Sequence, residues 1–184
     1  MGFEKKFGKK EEIDFLILDK RRKIYNDKIL ITPLNYDAWF DLIALELTTN
    51  NILDIRATFE KAVKNVPPTP EKRFWRRYIY IWYNYALFEE TEGNDPSKAE
   101  EVYQKAMDLV PHRQFTFAKL WILTAQFHLR CLNIDKARKV FGTAIGRFNN
   151  DKIFKAYIDL GIITNIRTAT GQCGQVQETV RSLH

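Results

Sequence analysis

WYNYALFEETEGNDPSKAEEVYQKAMDLVP, Trp82–Pro111, reads as two helices joined by a tight turn. Gly93 suits the end of the first helix. Asp95 suits the N-cap of the second, with Pro96 in its first helical position. Pro111 closes the unit. Within it, Glu89 stands seven residues after Trp82, directly behind Phe88. Tyr103 precedes Ala106 by three, and Pro111 follows five later. The same order recurs on both sides. Trp39 leads to Leu45-Glu46, then Phe59, Ala62 and Pro67. Trp121 leads to Phe127-His128, then Phe141 and Ala144, with His128 in place of the glutamate. The Trp-to-Trp steps are 43 and 39 residues. A period of that size predicts an all-α chain of stacked helical pairs.

The helices are placed by apolar periodicity of three to four residues. The spacing predicts helices over 13–31, 37–48, 52–65, 71–90, 96–109, 115–132 and 135–148, with Asp135 as the N-cap of the last. A further first helix is expected from Ile153 to about Ile163, with Phe154 in the Trp place. Residues 1–33 then form an N-terminal segment ending in the second helix of a partial repeat. Residues 34–163 form the array, about three repeats and the start of a fourth. The stretch 164–184, TNIRTATGQCGQVQETVRSLH, has lost the pattern and is expected to be disordered or foreign to the repeat. The chain is expected to begin inside a longer array.

Residue types at the repeated positions follow from packing. Ala62, Ala106 and Ala144 allow close backbone approach beside Phe59, Tyr103 and Phe141. Trp39, Trp82 and Trp121 fill the adjoining space. Trp75, Tyr78, Ile79 and Trp82 fall at helical spacing and are expected in the core. Glu46 and Glu89 lie near the buried face, so each needs a partner, an Arg or backbone amides of the adjoining repeat. One carboxylate per structural repeat is not a catalytic pattern.

Chemistry is otherwise sparse. The chain of 184 residues has two serines, Ser97 and Ser182, three histidines and two cysteines, Cys131 and Cys173, without a CxxC. A hydrolytic triad has little to work with. His128 and Cys131 alone do not make a metal site. Gly142-x-x-x-Gly146 has no preceding strand and is expected to be a close-packing spot rather than a phosphate cradle. No cofactor, small-molecule substrate, membrane span or enzymatic activity is expected. Net charge is +6, which suits acidic partners better than dedicated nucleic-acid binding. Arg21, Arg22, Arg73, Arg76 and Arg77 are candidates for a partner surface.

Trp, then aromatic-Glu, then aromatic-x-x-Ala, then Pro, resembles the HAT (half-a-TPR) repeat, which implies a right-handed α-solenoid. FEKKFG (Phe3–Gly8), NYDAWFDL (Asn35–Leu42), RFWRRYIYIWYNYALFEE (Arg73–Glu90) and VPHRQFTFAKLWILTAQFHLR (Val110–Arg130) resemble the Crooked neck family of splicing scaffolds over about residues 3–162. His128, Gly161 and the tail depart from that pattern. The resemblance implies a non-enzymatic, nuclear protein of pre-mRNA splicing that binds other splicing-complex proteins, with RNA contacted at most indirectly. A HAT scaffold of a pre-mRNA cleavage complex that homodimerises, and direct RNA binding by the basic surface, are the alternatives.

Overall fold

The structure, a computed structural model, describes residues 2–148 and 150–170, with side chains for 15–148 and 150–161. Every regular element among the described residues is helical: α1 Gly2–Ile31, α2 Tyr36–Leu47, α3 Ile52–Val63, α4 Lys72–Thr91, α5 Pro96–Leu109, α6 Ala118–Arg130, α7 Ile134–Arg147 and α8 Asp151–Thr170. The fold is the expected all-α helical repeat. It divides into two compact units, Met1–Asn94 and Asp95–His184. In the first, α1 packs on α2, α2 on α3 and α3 on α4. In the second, α5 packs on α6, α6 on α7, and α8 on both α6 and α7.

Three turns between consecutive helices use one device. A residue of positive φ, Asn50 (53°), Asn94 (46°) or Leu132 (59°), precedes a capping residue. The caps are Asn51, Asp95 and Asn133, whose side chains accept from Asp54 N, Lys98 N and Lys136 N. Asn tolerates the left-handed region because its short polar side chain bonds locally; Leu132 has no such aid. The N-cap of α7 is therefore Asn133, and Asp135 lies inside the first turn, where its charge still favours the helix dipole.

Two boundaries differ most from the periodicity. α1 starts at Gly2 rather than near residue 13, because seven of the ten residues of FEKKFGKKEE are Lys or Glu, good helix formers that offset the single Gly8, and none is proline. α8 runs through Thr170, seven residues past Ile163, because 164–170 holds neither proline nor glycine to interrupt a nucleated helix. The remainder of the tail expected to be disordered, 171–184, lies outside the described residues.

The cores follow the repeat. Phe59 of α3 stacks on Tyr85 of α4 (centroids 5.0 Å, 8° between planes) and touches Phe88 (5.5 Å). Tyr103 of α5 meets Phe127 of α6 at 5.3 Å, and Phe141 of α7 meets Tyr157 of α8 at 5.8 Å. In each unit the second-helix aromatic thus packs on the next first helix. Ala62, Ala106 and Ala144 are buried beside them.

Gly142 and Gly146 are not a close-packing spot. Both are exposed on α7, and a Cβ on either meets nothing within 4 Å. The periodicity could not separate a glycine that admits a neighbour from one that faces water. Gly142→Ala is therefore expected to stabilise the chain by about 1 kcal/mol, since alanine gains helix propensity without a clash. Urea denaturation checks this, and an unchanged or lowered midpoint would refute the open-face placement.

Candidate functional site: charge pairs between helices and an exposed arginine face

The tryptophans are positioned by the first turn of each first helix. Trp39, Trp75 and Trp121 are each the fourth residue of their helix. Each indole N–H donates back to the preceding loop: Trp39 to the Pro33 carbonyl (2.9 Å), Trp75 to the Thr69 carbonyl (3.0 Å), Trp121 to Thr116 Oγ1 (3.0 Å). In α4 the loop anchor is thus Trp75, a role the repeat pattern does not reveal. Counting back from Glu89 finds Trp82, because α4 has 20 residues against 12 in α2. Trp75 and Trp82 are seven residues apart, about two turns, so both share the buried face. Trp82 Nε1 is buried beside the Tyr78 hydroxyl without a hydrogen bond of normal geometry. That hydroxyl donates to the Val63 carbonyl at 2.6 Å, and burial pushes its pKa up to about 12.

The repeat glutamates find arginine partners on the preceding helix. Arg22 of α1 donates through Nε (2.6 Å) and Nη2 (2.8 Å) to both oxygens of Glu46 on α2. Arg56 of α3 does the same to Glu89 on α4, at 2.7 and 2.6 Å. Two parallel bonds from a planar fork give direction as well as strength. Glu89 is fully buried, and Gly93 leaves room for it: a Cβ there would sit 2.6 Å from Glu89 Oε2. Arg22 therefore leaves the candidate partner surface. Its hydrogen bonds to Glu46 raise its already high pKa further.

Both arginines stand three residues before the repeat aromatic, Tyr25 or Phe59. The same place in the second unit holds Glu100, before Tyr103, and Arg138, before Phe141. Where the glutamate becomes His128, the arginine becomes Glu100. The substitution at His128 thus comes with an exchanged charge. Glu100 pairs with Lys136. Burial lowers the His128 pKa, with Glu100 opposing and Lys136 reinforcing that shift.

His112 is also held neutral. Trp121 Nε1 donates to Thr116 Oγ1, which leaves the Thr116 hydroxyl to donate to His112 Nδ1 (2.9 Å) and His112 Nε2 to donate to the Met107 carbonyl (2.9 Å). Burial lowers its pKa first; the Met107 bond opposes and Arg147 adds to the lowering. Both histidines thus have folded pKa values below the unfolded value of about 6.5. Their contribution to stability is complete above that pH and is lost as pH falls through the lower folded values. Thermal unfolding is expected to shift to lower temperature between pH 7 and pH 5. His112→Gln and His128→Gln should each flatten that dependence; equal slopes in wild type and both variants would exclude the histidines.

The other arginines that are candidates for a partner surface fall in two places. Arg21 is exposed on α1. Arg73, Arg76 and Arg77 share the outer face of the first turns of α4. The Arg73 guanidinium lies 4.6 Å over the Phe74 ring and that of Arg77 5.2 Å over Phe40 of α2. Arg73 pairs with Glu71 (2.8 Å) and Arg77 with Asp37, all four side chains half-exposed or more. Among the described residues no three or more His, Cys, Asp or Glu side chains are grouped to hold a metal ion, and no helix is long and apolar enough to cross a membrane.

No protein-family model matches the chain. It is 48% identical over 159 residues to Protein crooked neck of Drosophila melanogaster, covering 86% of this chain and 23% of that protein. The chain is a crooked neck homologue. Identity to Crooked neck-like protein 1 of Homo sapiens is 49% over 158 residues, 86% of this chain and 19% of that protein. Pre-mRNA-splicing factor cwf4 of Schizosaccharomyces pombe is 48% identical over 157 residues, 85% of this chain and 23% of its own length. The chain therefore spans about a fifth to a quarter of the crooked neck relatives it matches.

Proposed function

We propose that this chain is a non-enzymatic scaffold segment of pre-mRNA splicing, acting in the nucleus by holding other splicing-complex proteins on its helical pairs. The observation that carries the reading is the 48–49% identity, across 86% of the chain, to crooked neck proteins; the similarly matched cwf4 is named a pre-mRNA-splicing factor. The geometry supports it. The repeated side chains that stand out chemically, Glu46 and Glu89, are bound to Arg22 and Arg56 and hold helices together. They are thereby removed from acid–base work. The exposed helix faces remain to bind partners, as in other repeat arrays.

The test is a pull-down from nuclear extract with the whole chain as bait, RNase-treated and read by mass spectrometry. Recovery of splicing-complex proteins after RNase is expected. Enrichment of cleavage factors instead, or loss of all partners on RNase treatment, would overturn the proposal.

A further inference from the structure

We infer that the outer face of α4, built on Arg73, Arg76, Arg77 and Tyr80, docks an extended acidic segment of another protein, one carrying carboxylates at alternate residues followed by an apolar residue. The inference needs only that the chain binds proteins; it does not depend on which assembly it serves.

The first argument is preorganisation. Arg73 and Arg77 lie against the Phe74 and Phe40 rings. Such stacking holds long side chains in place, so a ligand orders them at lower entropic cost. Arg76 is exposed between them and enters no ion pair among the described residues.

The second is exchangeability. The internal partners Glu71 and Asp37 have half-exposed or more exposed side chains. Exposed pairs contribute little, so an incoming carboxylate replaces either one at small cost.

The third is spacing. Arg73 and Arg77 are one turn apart, about 6 Å along the helix axis. Alternate side chains of an extended peptide repeat at roughly 6.6 Å. One turn beyond the arginines, Tyr80 is 44% exposed, and Leu87 farther along the same face is 41% exposed. They supply an apolar anchor after the charged pair.

The face suits carboxylates better than an RNA strand. Stacking of bases needs free ring faces, yet Phe40 and Phe74 each have one covered by a guanidinium, and Tyr80 is engaged in an edge-to-face contact with Tyr83 at 5.2 Å.

The probe is a fluorescent twelve-residue peptide with glutamates at alternate positions and a leucine-rich end, titrated against the whole chain at low salt and read by anisotropy. Saturable binding that weakens with salt is expected. The triple variant Arg73→Glu/Arg76→Glu/Arg77→Glu should bind about tenfold or more weakly. Arg76→Glu alone, which breaks no internal pair, should weaken binding severalfold with an unchanged melting curve. Arg21→Glu on α1 should bind like the wild type. Absence of saturation by folded protein, equal binding by the Arg76→Glu and triple variants, or more effective competition by single-stranded oligouridylate than by unlabelled peptide would each overturn the inference. A positive titration alongside a pull-down empty of splicing proteins would leave this site standing and remove the splicing assignment.

Discussion

Glu89→Ala is expected to cost about 3–5 kcal/mol, because it removes from the α3–α4 contact the buried carboxylate that accepts two hydrogen bonds from the Arg56 guanidinium. Arg56→Ala should be as severe from the other side, leaving a fully buried carboxylate without its counter-charge. Proteins of this size hold on the order of 5–15 kcal/mol in total, so either variant should be close to unfolding at 37 °C. The joint replacement Arg56→Met/Glu89→Leu should recover much of the loss, since two apolar chains of similar volume avoid the desolvation both ions incur. Arg77→Ala, which breaks the exposed pair with Asp37, should cost less than about 1 kcal/mol. Urea denaturation followed by tryptophan fluorescence measures all four. A Glu89→Ala loss no larger than that of Arg77→Ala would show that the buried pair does not hold α3 to α4.

Phe59→Ala is the second large effect, about 3–5 kcal/mol. The ring is fully buried, stacked on Tyr85 and packed on Phe88, and Ala62 lies one turn along the same face of α3. Truncation opens a cavity between α3 and α4 that the neighbouring rings cannot close, because Tyr85 is fastened by its hydroxyl to Glu60 at 2.5 Å. Burial and that bond together push the Tyr85 pKa upward. Phe59→Leu should cost less, since most of the volume remains. The same denaturation series tests it. Near-equal midpoints for Phe59→Ala and wild type would mean that the site collapses and that the aromatic repeat position is not a packing requirement here.

Sequence reading and structure agree where the signal is local. Trp, aromatic-Glu, aromatic-x-x-Ala and Pro mark one face and one end of each helix, and that face is buried at Trp39, Glu46, Phe59, Ala62, Trp82, Glu89, Tyr103, Ala106, Trp121, Phe141 and Ala144. The need of Glu46 and Glu89 for a partner on the adjoining repeat, an Arg or backbone amides, was also legible, because a buried carboxylate must be compensated. The identity of that partner was not. Arg22 stands in the run Lys20-Arg21-Arg22-Lys23, which looks like one solvated surface, yet only Arg22 turns toward Glu46. The signal for it lay in register: Arg22 and Arg56 both precede the repeat aromatic by three. Glu100 takes that place where His128 replaces glutamate. Trp75 escaped for a related reason. Two added turns in α4 preserve its apolar face, so nothing in the periodicity distinguishes the tryptophan at the loop from the one beside Tyr78.

By itself the sequence determined the helical repeat and the face each helix buries, since these depend on neighbours three and four residues away. The tertiary structure alone decided which charges meet, across 24 residues for Arg22 and Glu46 and 33 for Arg56 and Glu89. It also decided that Gly142 and Gly146 face open space. Such contacts follow from how one helix lies against the next, and the length of α4 and the shape of each turn decide that, not the local pattern of either partner.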